Sequence, residues 1–386
     1  KKSCLMKSSG GVRGVAGSIE RILYSTKFAC DAISPLVREI YKSEDLKIEF
    51  KSDSSVFTLA DGIVQELLQK YLFRGGRGFE AIVGEEDTTG TDLENRPYYV
   101  ANLKVPERFS DKVDSIRDQV TVLAQELGNS EAYQDCTIFI DPIDGTREFS
   151  QKSGNQCTIL VGFVRNSKPI GGVIYRPIPD LPLWTLGCKS ENVFAGVLDN
   201  DHKIQTTSGA NNAHGLLTTN GSISPFVEQI ISTLASKNQA TPEQIRVKAG
   251  GVGNKLMNLL EGKGECYIQD RGVSRWDTCA AQAIIEAKGG VLVKLTDFLK
   301  DKSLNSYSYK KSVLNCDVDS AKYPPRLTKY NTRQEPINSD PQIVGKLKPY
   351  ANVCGLLALD ALGVAKLDMY YDICTSSANT KPPVFD

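Results

Sequence analysis

The sequence predicts a layered α/β protein, and three observations lead to that class. Segments with a helical recurrence of apolar residues alternate with short strand-like runs through the second half of the chain. The run at 157–164 is apolar enough for a strand buried on both faces, as in the interior of a covered sheet. Charged residues make up 24% and apolar residues 40% of the 386 residues, which is typical of globular proteins and not of disordered ones.

Each element has a local signal of its own. Apolar residues recur at helical spacing behind a capping residue or ahead of a glycine, and the β-rich runs are short and end in polar turns. In the first half we predict helices at 18–43, 58–71 and 110–127 and strands at 81–83, 137–140, 157–164 and 171–175. In the second half, helical and strand-like segments alternate at 228–235, 254–260, 266–269, 278–288 and 290–293.

The length of the chain predicts two domains. We expect residues 1–190 to form an α+β domain and residues 191–386 to form an α/β domain. Within the second, residues 299–346 are rich in Lys, Ser, Asp, Asn and Pro. We interpret them as a long polar insertion ahead of the apolar segment 353–362.

Composition excludes several functional classes. The 46 basic and 46 acidic residues cancel, so no net charge attracts the chain to nucleic acid or to an anionic membrane. Two histidines, His202 and His214, are too few for a His-rich zinc site, so a bound metal should have oxygen ligands. The ten scattered cysteines include no CxxC pair, which is typical of reduced thiols. No apolar run is long enough to span a membrane and no apolar h-region follows Lys1, so we expect a cytoplasmic protein.

The sharpest chemical signal is the run Asp141-Pro142-Ile143-Asp144-Gly145-Thr146. A β-rich segment delivers Asp141 at its end, the proline stiffens the turn, and the glycine allows close approach of the backbone. Two carboxylates about 4 Å apart repel by roughly 1–4 kcal/mol, and a divalent cation converts that repulsion into binding. The alternative interpretation is an Asx-type turn that binds no ligand.

Two further acidic clusters are candidate metal ligands. Glu85 and Glu86, followed by Asp87, come directly after the apolar run at 81–83; the alternative is a solvated charge run. Asp277 precedes the helical segment 278–288, where it is a helix N-cap, a metal ligand or both. The two roles are compatible because a helix start fixes the direction of the carboxylate.

In order along the chain, these clusters resemble the motifs of the lithium-sensitive, magnesium-dependent phosphomonoesterases, the inositol monophosphatase-like family. The resemblance covers residues 15–300 and 352–358, and its motifs are Gly84-Glu85-Glu86, the run 141–146, and Trp276-Asp277-Thr278-Cys279-Ala280 with Gly289-Gly290. It implies the layered αβαβα sandwich of that family, with most metal ligands in the first domain, and the hydrolysis of a phosphate monoester.

The resemblance also implies a ligand set. One Mg²⁺ would be held by Glu85, Asp141 and the Ile143 carbonyl, and a second by Asp141, Asp144 and Asp277, with Glu86 in support. It implies two or three Mg²⁺ ions in all and Li⁺ as an inhibitor. Asp53 and Thr146 would orient or deprotonate the attacking water.

Substrate contacts follow by the same resemblance. Gly145 and Thr146 would begin a helix whose free N–H groups face the phosphate. Lys255 is a candidate contact for the second phosphate; the alternative is a solvated side chain. Gly251, in the glycine-rich stretch before it, is a further candidate substrate contact. Ser208 lies in the loop where bisphosphate nucleotidases present a Ser/Arg/Ser/His pattern, although the arginine and histidine are missing here.

Two branches of the family compete. Segments 51–61, 253–255 and 260–263 are most similar to the 3′(2′),5′-bisphosphate nucleotidases, whereas 57–61 and 279–281 are also similar to inositol polyphosphate 1-phosphatases. We expect hydrolysis of the 3′-phosphate of 3′-phosphoadenosine 5′-phosphate (adenosine 3′,5′-bisphosphate) to AMP and phosphate, with inositol 1,4-bisphosphate as a further substrate. The alternative is a dedicated inositol polyphosphate 1-phosphatase.

A non-enzymatic scaffold with the same fold is disfavoured, because all the candidate carboxylate ligands are present. We expect a monomer whose partners are small phosphorylated molecules, with neither nucleic acid nor a membrane among them.

Overall fold

The computed structural model describes residues 17–43, 49–50, 56–87, 105–128, 130–189, 194–197, 200–203, 215–305, 307–310, 350–352 and 354–384. Its helices in these residues are α1 (Ile19–Lys42), α2 (Leu59–Glu66), α3 (Glu107–Glu126), α4 (Thr146–Ser150), α5 (Pro225–Lys237), α6 (Pro242–Ile245), α7 (Val252–Leu260), α8 (Arg275–Ala287), α9 (Leu295–Asp301), α10 (Ala361–Ala365) and α11 (Leu367–Thr380). Its strands are β1 (Glu49–Phe50), β2 (Val56–Phe57), β3 (Ala81–Gly84), β4 (Cys136–Asp144), β5 (Thr158–Arg165), β6 (Lys168–Arg176), β7 (Leu183–Cys188), β8 (Phe194–Val197), β9 (Asn200–Lys203), β10 (Leu216–Thr218), β11 (Arg246–Lys248), β12 (Cys266–Gln269), β13 (Val273–Ser274), β14 (Val291–Lys294), β15 (Ala351–Asn352) and β16 (Leu356–Leu359).

Two sheets organise the chain. The first has the order β3-β4-β5-β6-β7-β8-β9, in which only the β3–β4 pair is parallel. The second has the order β11-β10-β12-β16-β14, with β10 parallel to both of its neighbours and β16 antiparallel to both of its own. The described parts of both sheets are therefore mixed.

The core divides the molecule into five layers. Helices α1, α2 and α3 pack on one face of the first sheet, against residues such as Ile138 and Ile140. Phe139 points to the other face, where α7 and α8 lie between the two sheets. Helices α5, α9 and α11 cover the outer face of the second sheet. This arrangement confirms the predicted αβαβα sandwich, because successive side chains of a strand serve opposite layers.

Two glycines let the central helix approach the first sheet closely. A Cβ on Gly162 of β5 would lie 2.3 Å from the Cys279 sulfur, and one on Gly172 of β6 would lie 2.2 Å from the Ala280 carbonyl oxygen. Side chains at these positions would therefore push α8 away from the sheet. The close packing brings the first turn of α8, with Asp277, towards β4 and β5.

Helix ends follow local signals, with some shifts from the predicted bounds. The Ser18 hydroxyl accepts a hydrogen bond from the Arg21 N–H, as expected of the cap of α1. Helix α3 begins three residues before the predicted start at Ser110, directly after Pro106, and ends before Gly128, whose φ is 75°. The predicted helix 58–71 ends as α2 at Glu66 and continues as a π-helical turn over Leu67–Leu72.

The predicted polar insertion at 299–346 is wrong at its N-terminal end. Residues 299–301 belong to α9, and Tyr307 and Tyr309 are buried in the layer between the sheets. The Tyr309 hydroxyl donates to the Gln282 side-chain oxygen on α8 at 2.7 Å. Residues 311–349 lie outside the described residues. The division into two domains at residue 190 stays a prediction.

A candidate metal centre between β4 and α8

A bulge in β4 places two aspartates on the same face of the first sheet. Asp141 is paired with Leu160 of β5 and Asp144 with Thr158, so three steps along β4 match two along β5. In a regular strand, side chains three residues apart point to opposite faces. The extra residue brings both carboxylates to the side of α7 and α8. The predicted strand end at Asp141 is wrong, since β4 continues to Asp144.

Asp277 completes the cluster from α8, although not as the predicted N-cap. Ser274 is the N-cap, and the Asp277 carboxylate at the third helical position accepts the Ser274 N–H at 2.7 Å, as in a capping box. Carboxylate oxygens of Asp141, Asp144 and Asp277 all lie within 4.8 Å of one another. Three residues from distant parts of the sequence therefore form one acidic cluster.

The three carboxylates differ in their electrostatic surroundings. Burial, and then the charges of Glu85, Asp144 and Asp277, raise the pKa of Asp141 well above its usual range. Burial, followed by the charges of Asp144 and Glu85, raises the pKa of Asp277 to about 7. Burial also raises the pKa of Asp144, but hydrogen bonds from α7 and the charge of Lys255 oppose the shift. Burial and mutual repulsion thus disfavour the ionised form of these carboxylates, and a bound cation would favour it.

The donor set fits a hard divalent cation. All the candidate ligand atoms are carboxylate or carbonyl oxygens, which Mg²⁺ prefers. The Oδ1 atom of Asp141 is buried and has no hydrogen-bond partner among the described residues, so a coordination bond would satisfy it. The residues present are therefore suited to hold the ions that the sequence motifs imply.

The Glu85–Glu86 turn borders the cluster. It forms the 3₁₀ segment Glu85–Asp87 at the end of β3, which runs parallel to β4. The Gln65 side chain of α2 accepts the Glu86 N–H at 3.0 Å, and a Cβ on Gly84 would lie 2.4 Å from the Gln65 amide. Gln65 thus fixes this turn, although no motif in the sequence marks it. The charge of Glu85 is close enough to raise the pKa of Asp141. The side chain of Glu86 is buried.

Thr146 lies at the start of α4 beside a second buried carboxylate. Its hydroxyl is 3.0 Å from the Ile143 carbonyl oxygen and 3.3 Å from Asp61 Oδ1. Asp61 is fully buried, and its other oxygen accepts the N–H and the hydroxyl of Thr58 in the capping box of α2. Asp61 ends the segment 57–61 of the family resemblance but was given no role there, although a Thr-x-x-Asp spacing at a helix start is a capping signal. Asp53 lies outside the described residues and stays a prediction.

Helix α7 covers the Asp144 carboxylate. The N–H groups of Val252 and Gly253 donate to Asp144 Oδ1 and Oδ2 at 3.0 and 2.8 Å, and the Thr158 hydroxyl donates to Oδ2 at 3.1 Å. Gly251 has a φ of 64°, and a Cβ there would lie 2.7 Å from Asp144 Oδ2. Only glycine therefore fits at this position, whether or not Gly251 also touches substrate.

Lys255 faces the same cluster from α7. It is 4% exposed, so the solvated side chain of the alternative interpretation is wrong. Its Nζ lies 5.3 Å from the centre of the Tyr267 ring, and it makes no hydrogen bond or ion pair with any residue that the structure describes. Burial lowers the pKa of Lys255, and the charges of Asp144, Glu148 and Asp277 oppose that shift. Gly145 is the N-cap of α4, whereas Ser208 lies outside the described residues.

Comparison with known proteins identifies the family. The model of the inositol monophosphatase family matches residues 20–323. The chain belongs to the inositol monophosphatase family. Human 3′(2′),5′-bisphosphate nucleotidase 1 is 26% identical over 330 residues, covering 79% of this chain and 94% of the relative. The Golgi-resident adenosine 3′,5′-bisphosphate 3′-phosphatase of Rattus norvegicus is 26% identical over 212 residues, covering 53% of this chain and 51% of the relative.

Solved structures of the family share the fold. A staphylococcal IMPase-I complexed with products aligns with a TM-score of 0.54 at 11% identity, covering 96% of this chain and 99% of that one. The Thermotoga maritima IMPase aligns with a TM-score of 0.52 at 13% identity, covering 92% and 98%. The predicted family and layered fold are thus confirmed, and the chain is a phosphatase of this family. The roles of the site residues stay predictions. Among the described helices, none is long and apolar enough to cross a bilayer.

Proposed function

We propose that this phosphatase is a Mg²⁺-dependent 3′(2′),5′-bisphosphate nucleotidase that converts 3′-phosphoadenosine 5′-phosphate to AMP and phosphate. The observation that carries the proposal is the pairing of the carboxylate cluster with buried Lys255. The cluster suits the phosphate that is cleaved, once cations are bound, and the Lys255 ammonium suits a second phosphate on the same substrate. The names of the relatives at 26% identity support the same substrate class.

In this proposal the residues of the cluster bind the metal ions, and neighbouring residues orient the attacking water. Glu85, Asp141, Asp144, Asp277 and the Ile143 carbonyl would hold the Mg²⁺ ions, with Glu86 in support. Bound divalent cations would polarise the phosphoryl oxygens and the attacking water and would neutralise the leaving oxygen. The chain itself would orient the attacking water through Thr146 and would accept its proton at the Asp53 carboxylate.

We assign to Thr146 the role of orienting the attacking water. Its hydroxyl can donate to the Ile143 carbonyl or to Asp61, and either bond keeps its oxygen next to the ligand set with lone pairs free to accept from water. Together with Asp53 it would orient the water and remove its proton. Gly145 and Thr146 would contact the phosphate through the first turn of α4, and Ser208 and Gly251 would line the substrate side.

A comparison of substrates tests the proposal. Purified protein is assayed for phosphate release from adenosine 3′,5′-bisphosphate and from inositol 1,4-bisphosphate, with Mg²⁺ and with or without Li⁺. We expect the nucleotide to have the higher kcat/KM, 5′-AMP to be the product and Li⁺ to inhibit. A tenfold preference for the inositol substrate would favour a dedicated inositol polyphosphate 1-phosphatase, which similarities at 57–61 and 279–281 also support. No release from either substrate would contradict the proposed activity.

We further propose that the protein acts as a monomer in the cytoplasm on small phosphorylated substrates. Light scattering of the purified chain tests the first point, since a monomer predicts the mass of 386 residues. Imaging of a tagged full-length protein tests the second. A Golgi location would contradict it and would match the name of one group of relatives.

A further inference from the structure

A buried arginine on the first sheet binds one face of α7. Arg176, the last residue of β6, is 4% exposed. Its Nε donates to Asn254 Oδ1 at 2.9 Å, its Nη2 donates to Asn258 Oδ1 at 2.8 Å, and its Nη1 pairs with Glu261. The three acceptors are spaced i, i+4 and i+7, so they share one helical face. A guanidinium has donors in a fixed fork, and burying it is tolerable only when such acceptors are supplied.

Asn254 links Arg176 to the turn that precedes α7. Its amide nitrogen donates to the Gly250 carbonyl oxygen at 3.0 Å, while its amide oxygen accepts from Arg176. Only one orientation of the amide satisfies both partners, because the guanidinium only donates and the carbonyl only accepts. The Gly250 N–H is held in turn by Gln156 Oε1 at 2.6 Å. The position of this turn is therefore fixed from the first sheet.

The same turn holds a candidate metal ligand. The two N–H groups that follow it, on Val252 and Gly253, orient the Asp144 carboxylate. The next residue after Asn254 is Lys255, whose ammonium is the candidate contact for the second phosphate. Helix α7 thus contains both the N–H groups that donate to Asp144 and the Lys255 ammonium that would bind the substrate. Arg176 holds this helix against β6.

We propose that Arg176 is a positioning residue that sets the place of α7, and that it thereby couples the metal-binding geometry of Asp144 to the binding of a phosphate at Lys255. Arg176 touches neither group itself. Partners that orient a metal ligand typically change metal affinity by 10- to 100-fold when they are removed. The part of this inference that concerns Lys255 rests on the proposed function, whereas the part that concerns Asp144 does not.

Calorimetric titration of Mg²⁺ into the metal-free protein tests the inference without substrate. We expect Arg176→Met to weaken Mg²⁺ binding by about tenfold or more and Arg176→Lys to restore part of it, since lysine keeps the charge but not the fork. Val173→Ala is the matched control: it removes a buried side chain from the opposite face of the same strand. It should lower the melting temperature and leave Mg²⁺ affinity unchanged.

A second variant guards against misfolding of the first. Asn254→Ala keeps two of the three partners of Arg176 but breaks its link to Gly250, and we expect the same direction of change in Mg²⁺ affinity. With substrate, both variants should raise KM for the bisphosphate more than KM for the corresponding 3′-monophosphate. Unchanged Mg²⁺ affinity in Asn254→Ala and in folded Arg176→Met, or an equal loss in Val173→Ala, would overturn the inference. Inactive wild type with normal Mg²⁺ binding would contradict only the proposed function.

Discussion

Replacing Asp144 with asparagine removes one negative charge from the carboxylate cluster and keeps the shape of the side chain. In the native protein its Oδ2 accepts from Gly253 and Thr158 and its Oδ1 accepts from Val252. The asparagine oxygen can take the place of Oδ2 and keep two of these bonds. Its NH₂ group then faces the Val252 N–H, which loses its acceptor.

Two opposing terms set the change in stability. An unsatisfied buried N–H costs about 1–3 kcal/mol. Loss of the repulsion between Asp144 and a neighbouring carboxylate returns roughly 1–4 kcal/mol at a separation near 4 Å. The two terms oppose each other, so the free energy of unfolding of the metal-free protein should change by about 3 kcal/mol or less in either direction. No opposing term offsets the loss of activity, because the asparagine would no longer supply a charged ligand to the metal. Several kcal/mol of transition-state stabilisation corresponds to about 10²–10³-fold or more in kcat.

Two measurements decide this prediction. Phosphate release from the bisphosphate nucleotide gives kcat, and thermal unfolding with and without Mg²⁺ gives the stabilisation that the metal provides. We expect Asp144→Asn to fold, to lose turnover and to lose most of the Mg²⁺-induced rise in melting temperature. Asp118→Asn, on the exposed side of α3, is the control and should match the wild type. Turnover within a few-fold of wild type in Asp144→Asn would refute the metal assignment.

Three further predictions concern neighbouring groups. Thr146→Val should lower kcat by about 10²-fold with little change in KM, and Thr146→Ser should retain most activity; equal losses in both would rule out a role for the hydroxyl. Lys255→Met should raise KM for the bisphosphate at least tenfold and change kcat less, measured against a 3′-monophosphate whose KM should stay constant. Burial and the charges of Asp144 and Glu85 raise the pKa of Asp277 from 3.8 to about 7. At a pH between these two values the folded chain therefore binds one proton that the unfolded chain does not. Thermal unfolding of the metal-free protein should therefore show stability falling as the pH rises from about 4 to 7, and saturating Mg²⁺ should remove that fall; a flat metal-free profile would contradict the raised pKa.

Local motifs made much of the fold and the ligand set predictable. The spacing of apolar residues indicated the helices and strands, and the run 141–146 and Asp277 marked the cluster because metal-binding carboxylates are chemically distinctive. Burial of Lys255 was left open, since the sequence around it fits a solvated lysine as well. A single chain shows the residue types at a site but not the space around them.

What the sequence could not show depends on contacts between distant segments. The bulge in β4 arises from its pairing with β5, and only that pairing turns Asp141 and Asp144 to one face. The contact of Arg176 with Asn254 joins residues 78 positions apart, and no local spacing pattern relates the two. The N-cap alternative for Asp277 is wrong, because the cap is Ser274, three positions earlier, and both are residue types that favour helix starts.

We expect Asp141, Asp144 and Asp277 to bind divalent cations jointly, at a single site. A crystal of the protein soaked in Mn²⁺, with diffraction recorded at the manganese absorption edge, tests it most directly. We expect at least two anomalous peaks within bonding distance of these carboxylates, with Asp141 bound to both ions. Anomalous density absent from this cluster, while Mn²⁺ supports phosphate release in solution, would contradict it.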